Sequence, residues 1–113
     1  MKQVDTISLN ELSKMTQNMD SEIVKAVVDV KRRLLVVDAD LHVDEEQYLL
    51  ENGSCQADLW GINLYPDYYG EDAFVEFDST INIRPSKNNR SRSVEDRDLQ
   101  LLIREIVAAV VYE

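Results

Sequence analysis

The chain of 113 residues holds 22 acidic and 12 basic residues, which give a formal net charge of −10. This balance argues against a protein that coats duplex DNA, because such proteins bind by neutralising phosphates with Lys and Arg. The single cysteine, Cys55, excludes an internal disulfide and a multi-cysteine zinc site within one chain.

Nothing in the sequence divides the chain into separate domains. It contains only three Gly and two Pro, and no linker, repeat or low-complexity segment interrupts it. The first residues lack the apolar core of a signal peptide, and no apolar run approaches the roughly 20 residues that span a bilayer. We therefore expect a single domain over residues 1–113, in a soluble, cytoplasmic protein with no membrane segment.

The first third of the chain predicts a helix followed by a β-hairpin. Ser8 and Glu11 form a capping box, and an apolar stripe at helical spacing then predicts a helix over about 9–19. From residue 23 the apolar period changes to 2, which predicts a strand. A second β-branched run over 34–37 predicts its partner, with the basic residues 31–33 in the turn.

An acidic stretch over residues 38–44 is a candidate metal site. If the second strand continues through it, alternation places Asp38, Asp40, His42 and Asp44 on one face. Carboxylates and imidazole are ligand types for Mg²⁺, Mn²⁺ or another divalent ion, so Asp38, Asp40 and His42 are the predicted ligands. The alternative is an ordinary strand with one solvated face.

The middle of the chain predicts a short helix and a further strand. Asp44 and Gln47 resemble a capping box, and Gly53 is a plausible helix stop, which predicts a helix that carries residues 48–50. Alternatively, residues 48–50 belong to a strand that turns at Asn52 and Gly53. Residues 57–65 predict a strand, and Gly61 within it indicates a bulge or a close backbone approach.

A long strand and a basic loop follow. Residues 73–84 alternate with period 2 and predict a strand antiparallel to 57–65, ended by Pro85. Residues 84–92 hold four basic residues and no acidic one, directly before a helix. This pattern favours an anion site for a phosphate, a nucleotide or single-stranded RNA, formed by Arg84, Lys87, Asn88, Asn89, Arg90, Ser91 and Arg92. The alternative is that the arginines pair with acidic neighbours of the fold.

The C-terminal segment predicts a helix over about 95–111, with Ser93 able to cap it. Its last turns, from Ile106 to Tyr112, are apolar nearly all round and need cover from the sheet or from a partner chain. A homodimer through this segment is one prediction.

Together these elements predict an α+β, two-layer fold with the order α-β-β-α-β-β-α. Its mostly antiparallel sheet has about four strands and carries the helices on one face. Three functions are compatible with it. They are a module that binds an anionic ligand at residues 84–92, a protein-interaction or homo-oligomeric domain with an acidic surface, and a metal-dependent phosphoryl-transfer or hydrolytic enzyme.

Three motifs make the chain resemble a family of small, uncharacterised prokaryotic proteins, a domain of unknown function. They are Leu59-Trp60-Gly61 with Asn63, Tyr65 and Pro66; Ile81-Asn82-Ile83-Arg84-Pro85; and Asn89-Arg90-Ser91. The resemblance implies a prokaryotic source and one small domain, and it implies no activity. It also implies a Gly in the first hairpin turn, where this chain has Arg33.

Overall fold

The computed structural model describes residues 1–19 and 21–113 of the chain. Within these ranges the helices are α1 (Leu9–Asn18), α2 (His42–Glu51) and α3 (Arg97–Val110). The strands are β1 (Lys2–Val4), β2 (Ile7–Ser8), β3 (Val24–Asp29), β4 (Leu34–Val37), β5 (Leu59–Leu64), β6 (Val75–Glu76) and β7 (Val111–Tyr112). The described helices include none that is long and apolar enough to cross a membrane.

Five of the described strands form one sheet in the order β1-β4-β3-β5-β6, with every neighbouring pair antiparallel. The predicted hairpin is confirmed as β3 and β4, in which Ala26 lies opposite Val37. The short strands β2 and β7 form a separate parallel pair. The predicted α+β class and the mostly antiparallel sheet are therefore confirmed, with five strands in the sheet where about four were expected.

The sheet is covered on both faces, which differs from the predicted placement of the helices. Helices α1 and α3 pack on one face, whereas Leu49 of α2 packs on the opposite face against Val27 and Val36. The central strands are buried on both sides because their apolar residues occupy consecutive positions, as in the run Leu34–Val37. Such runs are typical of strands covered on both faces.

The turn of the hairpin contains no glycine and is organised by the buried carboxylate of Asp29. Its Oδ1 accepts hydrogen bonds from the N–H groups of Lys31 and Arg32, both at 2.9 Å. Its Oδ2 accepts one from the Ser54 hydroxyl at 2.6 Å. Arg33 then adopts a left-handed conformation, with φ of 57°, at the turn where the family resemblance implies Gly.

Strand β4 does not continue through residues 38–44, so the condition on which the predicted metal site depended is not met. The strand ends at Val37, Asp38 has φ of 69°, and α2 begins at His42. A left-handed residue redirects the chain out of the sheet, so the alternation of Asp38, Asp40, His42 and Asp44 on one strand face does not occur. The alternative strand over 48–50 is wrong, because α2 includes these residues and Gly53, with φ of 99°, follows its end.

The prediction of one strand over residues 73–84 is wrong except at Val75 and Glu76, since residues 73 and 74 belong to a 3₁₀ turn. After β6 the chain leaves the sheet and makes 3₁₀ turns at Thr80–Asn82 and Pro85–Lys87. Asn82, which the alternation places on a solvated face, is fully buried. The close approach predicted at Gly61 is confirmed, since a Cβ there would lie 2.6 Å from the Cβ of Ser79.

Helix α3 begins two residues later than predicted. Its N-cap is Asp96, whose carboxylate accepts hydrogen bonds from the N–H groups of Asp98 and Leu99. Ser93 therefore does not cap it. The helix ends at Val110, where the chain extends into β7 beside β2.

Candidate functional site

The structure buries the first residue of the predicted anion site. Arg84 lies with its guanidinium carbon 4.8 Å from the centroid of the Trp60 ring and its Nη2 3.3 Å from Oε2 of Glu46. Both members of this ion pair are about nine-tenths buried. Burial lowers the pKa of Arg84 below its usual range, and Glu46 opposes that shift. Nε and Nη1 of Arg84 have no hydrogen-bond partner among the described residues, but both are buried and therefore closed to an external anion.

Asn89 holds the loop 84–92 together from inside. Its Nδ2 donates to the carbonyl oxygens of Asn82 at 2.8 Å and Ser93 at 2.6 Å. Its Oδ1 accepts a hydrogen bond from the N–H of Glu95 at 2.8 Å. The side chain is buried, so it supports the loop and does not face a ligand.

The backbone of the loop already binds an anion, which is the carboxylate of Glu95. Its Oε2 accepts hydrogen bonds from the N–H groups of Arg90 and Ser91, both at 2.8 Å. Hydrogen bonds from Ser91 and Arg90 lower the pKa of this carboxyl below its usual value. Paired backbone N–H groups of this kind are the feature of a loop that favours anions, and here they are occupied by the chain itself.

The remaining cations of the loop divide into one paired and two unpaired. Nε of Arg92 lies 2.6 Å from Oδ1 of Asp78. Lys87 and Arg90 have no ion pair with any residue that the structure describes. Asn88 is exposed and left-handed, with φ of 57°, a conformation that Asn tolerates well. Anion binding by an external ligand stays a prediction, with Lys87 and Arg90 as its available charges.

The cleft next to Lys87 is unfavourable for an anion. It has a volume of about 570 Å³, and its other charged lining residues are Asp58, Glu95 and Asp96. Three carboxylates around one ammonium repel a negatively charged ligand more than Lys87 attracts it.

The structure separates the predicted metal ligands. His42 donates from Nε2 to the carbonyl oxygen of Ile62 at 2.8 Å, and burial lowers its pKa below the usual value. Asp38 and Asp40 instead line a cleft beside α2. In the described part of the chain, no group of three His, Cys, Asp or Glu side chains is placed to hold a metal ion. Metal binding stays a prediction, but the strand alternation on which it was based does not exist in the structure.

That cleft, which we call the α2 cleft, is strongly acidic, with four carboxylates in its lining. It has a volume of about 680 Å³ and is lined by Met1, Met19, Asp38, Ala39, Asp40, Asp44, Gln47, Tyr48 and Glu51. Helix α2 contributes Asp44, Gln47, Tyr48 and Glu51, whose spacing of three, four and seven residues places them on one side of the helix. None of the four carboxylates forms an ion pair with a described residue.

A buried acid that sequence reasoning missed lies on the inner side of α2. Glu45 is fully buried, and neither carboxyl oxygen has a hydrogen-bond partner among residues 1–19 and 21–113. Burial raises its pKa to about 10, so the group is a neutral acid at pH 7. In the sequence it resembles a first-turn residue of a solvated helix. The signal against that interpretation is its spacing of four residues from the buried Leu49.

Exposed apolar side chains are direct sequence neighbours of residues that line the α2 cleft. Leu41 and Val43 are each 52% exposed and Leu50 is 36% exposed, although all three are large and apolar. Val43 and Leu50 are seven residues apart and so share one side of α2. We call these three residues the α2 ridge.

The C-terminal segment does not need a partner chain to cover most of its apolar residues. Ile106, Val110 and Val111 are buried against the chain's own core, whereas Tyr112 is 53% exposed. A homodimer through residues 106–112 stays a prediction, but the demand for cover that motivated it is met within one chain.

Comparison with known proteins adds the family. The sequence profile of a family described as "Protein of unknown function (DUF5674)" matches residues 3–110. The chain belongs to the DUF5674 family. No curated protein and no solved structure matches it significantly. The predicted membership of a domain-of-unknown-function family is confirmed, and the matched range includes the loop 84–92 and every lining residue of the α2 cleft except Met1.

Proposed function

We propose that this DUF5674 domain is a protein-interaction module, and that its α2 cleft binds a basic, amphipathic segment of a partner protein. The observation that carries the proposal is the set of four carboxylates in the cleft, Asp38, Asp40, Asp44 and Glu51, without an ion pair in the described chain. The basic loop 84–92, by contrast, pairs two of its four cations internally and directs the N–H groups of Arg90 and Ser91 to Glu95.

Electrostatics favour a cationic occupant. The chain carries a net charge of −10, and the cleft concentrates four of its acidic groups on one concave surface. Lys25, a cation beside the cleft, donates its Nζ to the backbone carbonyl of Asp40 at 2.8 Å and not to a carboxylate. A cationic segment would relieve the repulsion among these carboxylates and would be steered to the cleft over roughly one Debye length, about 8 Å at physiological salt.

The apolar ridge favours a protein segment over a metal ion or a polyamine. A small cation would not bury Leu41, Val43 and Leu50, whereas the apolar side chains of a peptide would cover these residues and remove them from water. Interfaces typically combine such an apolar centre with a polar rim. The cleft volume of about 680 Å³ also lies within the range of roughly 300–1,000 Å³ that binding sites occupy.

Helix α2 carries both acidic residues of the α2 cleft and apolar residues of the α2 ridge, and this arrangement indicates the kind of peptide that would bind. Asp44 and Glu51 line the cleft, while Val43 and Leu50 are the residues directly before them in sequence. An amphipathic helix with basic residues on one side and apolar residues on the adjacent side would contact the α2 cleft and the α2 ridge at the same time. Tyr48, half-buried in the cleft wall, offers a ring face for an Arg side chain.

The test uses a fluorescein-labelled, roughly 15-residue amphipathic peptide of Lys, Arg and Leu, long enough to form a helix. Its affinity is measured by fluorescence anisotropy for the wild type and for the double variant Asp44→Asn/Glu51→Gln. We expect that variant to bind at least about tenfold more weakly, since it loses two facing charges. Equal affinity for the two proteins would contradict the proposal.

A matched control separates the cleft from the overall charge. Asp67→Asn/Glu113→Gln removes the same charge from exposed residues outside the cleft. Its affinity should stay within about twofold of the wild type, because well-separated surface charges are screened. A second control is a peptide of the same composition in scrambled order, which should bind more weakly because it cannot present one apolar side to the α2 ridge. Equal binding of both peptides would mean attraction by charge alone and would contradict a specific site.

A further inference from the structure

A small pocket lies between the loop that follows β5 and the outer side of α3. It has a volume of about 240 Å³, and its walls are mainly apolar, formed by Tyr69, Phe74, Val75, Val107 and Ala108. Phe74 and Tyr69 meet edge to face, with ring centroids 5.2 Å apart. This contact fixes one wall of the pocket.

One cation, Arg104, enters the lining of this apolar pocket. Its Nη1 donates to the carbonyl oxygen of Asp72 at 3.0 Å, and its guanidinium carbon lies 5.1 Å from the centroid of the Phe77 ring. These two contacts hold the guanidinium in place. No described carboxylate pairs with it, and its Nε and Nη2 form no hydrogen bond with a described residue.

We propose that this pocket binds a small carboxylate with a flat, apolar body. The carboxylate would pair with the N–H groups of Arg104 at Nε and Nη2. The planar guanidinium suits a planar acceptor that takes two hydrogen bonds, as a carboxylate does. The body would lie against Phe74 and Val107. With about 30 Å³ for a water-sized group, the volume accommodates roughly eight such groups, the size of a single substituted ring.

Glu71 is the one acidic residue of the lining, and it restricts the ligand. Because its side chain is exposed, solvent and salt screen its repulsion of a monoanion. A dianion such as phosphate would be repelled twice as strongly, and it would leave the apolar walls unfilled. The pocket therefore favours a monocarboxylate over a phosphate ester.

The test compares benzoate with its neutral isostere, benzamide, by titrating ¹⁵N-labelled full-length protein. Benzoate should shift the Nε–H signal of Arg104 and the amides of residues 69–75 and 104–108. Benzamide should bind at least about tenfold more weakly, because the charge-assisted pair with the guanidinium is lost. Equal binding of benzoate and benzamide would overturn the proposal. So would the absence of any shift of these signals at about 20 mM benzoate, because such weak binding corresponds to a ligand efficiency below that of ordinary fragments.

Variants on the same helix make the test specific. Arg104→Gln should weaken benzoate binding at least about tenfold, whereas Arg97→Gln, at an exposed position outside the pocket, should change it less than about twofold. Ala108→Phe fills the exposed mouth and should abolish the benzoate shifts without removing any charge. Retained binding in Arg104→Gln or in Ala108→Phe would place benzoate elsewhere and overturn the assignment. None of these residues lies in the α2 cleft, so the outcome is independent of the proposed function.

Discussion

The side-chain amide of Asn82 pairs with the backbone of Gly61 as a neighbouring strand would. Oδ1 accepts the N–H of Gly61 at 2.8 Å, and Nδ2 donates to its carbonyl oxygen at 2.9 Å. Nδ2 also donates to the carbonyl oxygen of Arg92 at 3.0 Å, which ties the basic loop to β5. Strand β5 has no strand partner on this side at Gly61, because β6 pairs only with Asn63 and Leu64. Unpaired N–H and C=O groups of a strand are a template for aggregation, and here the Asn82 side chain satisfies those of Gly61.

Replacing this amide should therefore destabilise the fold. Asn82→Ala leaves both backbone groups of Gly61 buried without partners, and each such group costs about 1–3 kcal/mol. We expect the free energy of unfolding, measured by urea denaturation, to fall by about 2–4 kcal/mol. Asn10→Ala, at an exposed position of α1 with no side-chain hydrogen bond to a described residue, serves as the control. An effect of Asn82→Ala within about 0.5 kcal/mol of zero would contradict this role.

The pH dependence of stability should report the buried acid Glu45. Its pKa is raised to about 10 in the folded chain and lies near 4.3 in an unfolded one. The folded state therefore binds more protons between these values, so its stability is greatest below the unfolded pKa and falls as pH rises. The slope approaches about 1.4 kcal/mol per pH unit.

Glu45→Gln removes this titration while keeping the shape of the side chain. We expect the variant and the wild type to have similar stability at pH 4, and the variant to be more stable by more than about 1 kcal/mol at pH 8. Urea denaturation at both pH values measures the difference. His42 titrates in both proteins, and its lowered pKa adds the same stability to each as pH rises towards the pKa of the unfolded chain, so it cancels in the comparison. A difference that does not change with pH would contradict the buried neutral acid.

The hairpin turn offers a stabilising substitution. Arg33 is left-handed, which costs a residue with a Cβ roughly 1–2 kcal/mol relative to Gly. Its ion pair with Glu105, at 3.6 Å between exposed side chains, contributes less than about 1 kcal/mol. Arg33→Gly and Arg33→Ala lose that pair equally, so the Gly variant should be more stable by about 1 kcal/mol in thermal denaturation. Equal stability of the two variants would exclude backbone strain at this position.

Glu95 provides a test of the predicted anion site in the loop 84–92. Glu95→Ala vacates the N–H groups of Arg90 and Ser91, so the variant should bind inorganic phosphate at least about tenfold more tightly than the wild type. Amide shifts of residues 87–92 during a phosphate titration measure both affinities. The double variant Glu95→Ala/Arg90→Gln should lose most of the gain. If phosphate moves no amide in either protein, the loop has no external anion.

The features that are readable from the sequence rest on local pattern. The period-2 run around Val27 and the β-branched run at Leu34–Val37 predict the hairpin, because neighbouring residues determine both strands and their pairing. Gly61 between large residues likewise predicts a close backbone approach, which Ser79 makes.

The features that sequence reasoning missed depend on contacts between distant residues. The sequence pattern predicts that Asn82 is a solvated strand residue, whereas in the structure its amide forms hydrogen bonds with Gly61, 21 residues earlier. Glu45 looks like a favourable first-turn acid until the sheet buries it. Asp38 begins a turn at which the sequence has neither Gly nor Pro, the residues that usually indicate one. In each case tertiary packing overrides a local preference.

The most direct test of the proposed function is a backbone amide titration of the wild-type protein with the basic amphipathic peptide at physiological salt. We expect the largest shifts in residues 38–51, which include the α2 cleft and the α2 ridge, and their loss in Asp44→Asn/Glu51→Gln. Shifts that centre on any other surface, or that persist unchanged in this variant, would contradict the assignment of the α2 cleft as the interaction site.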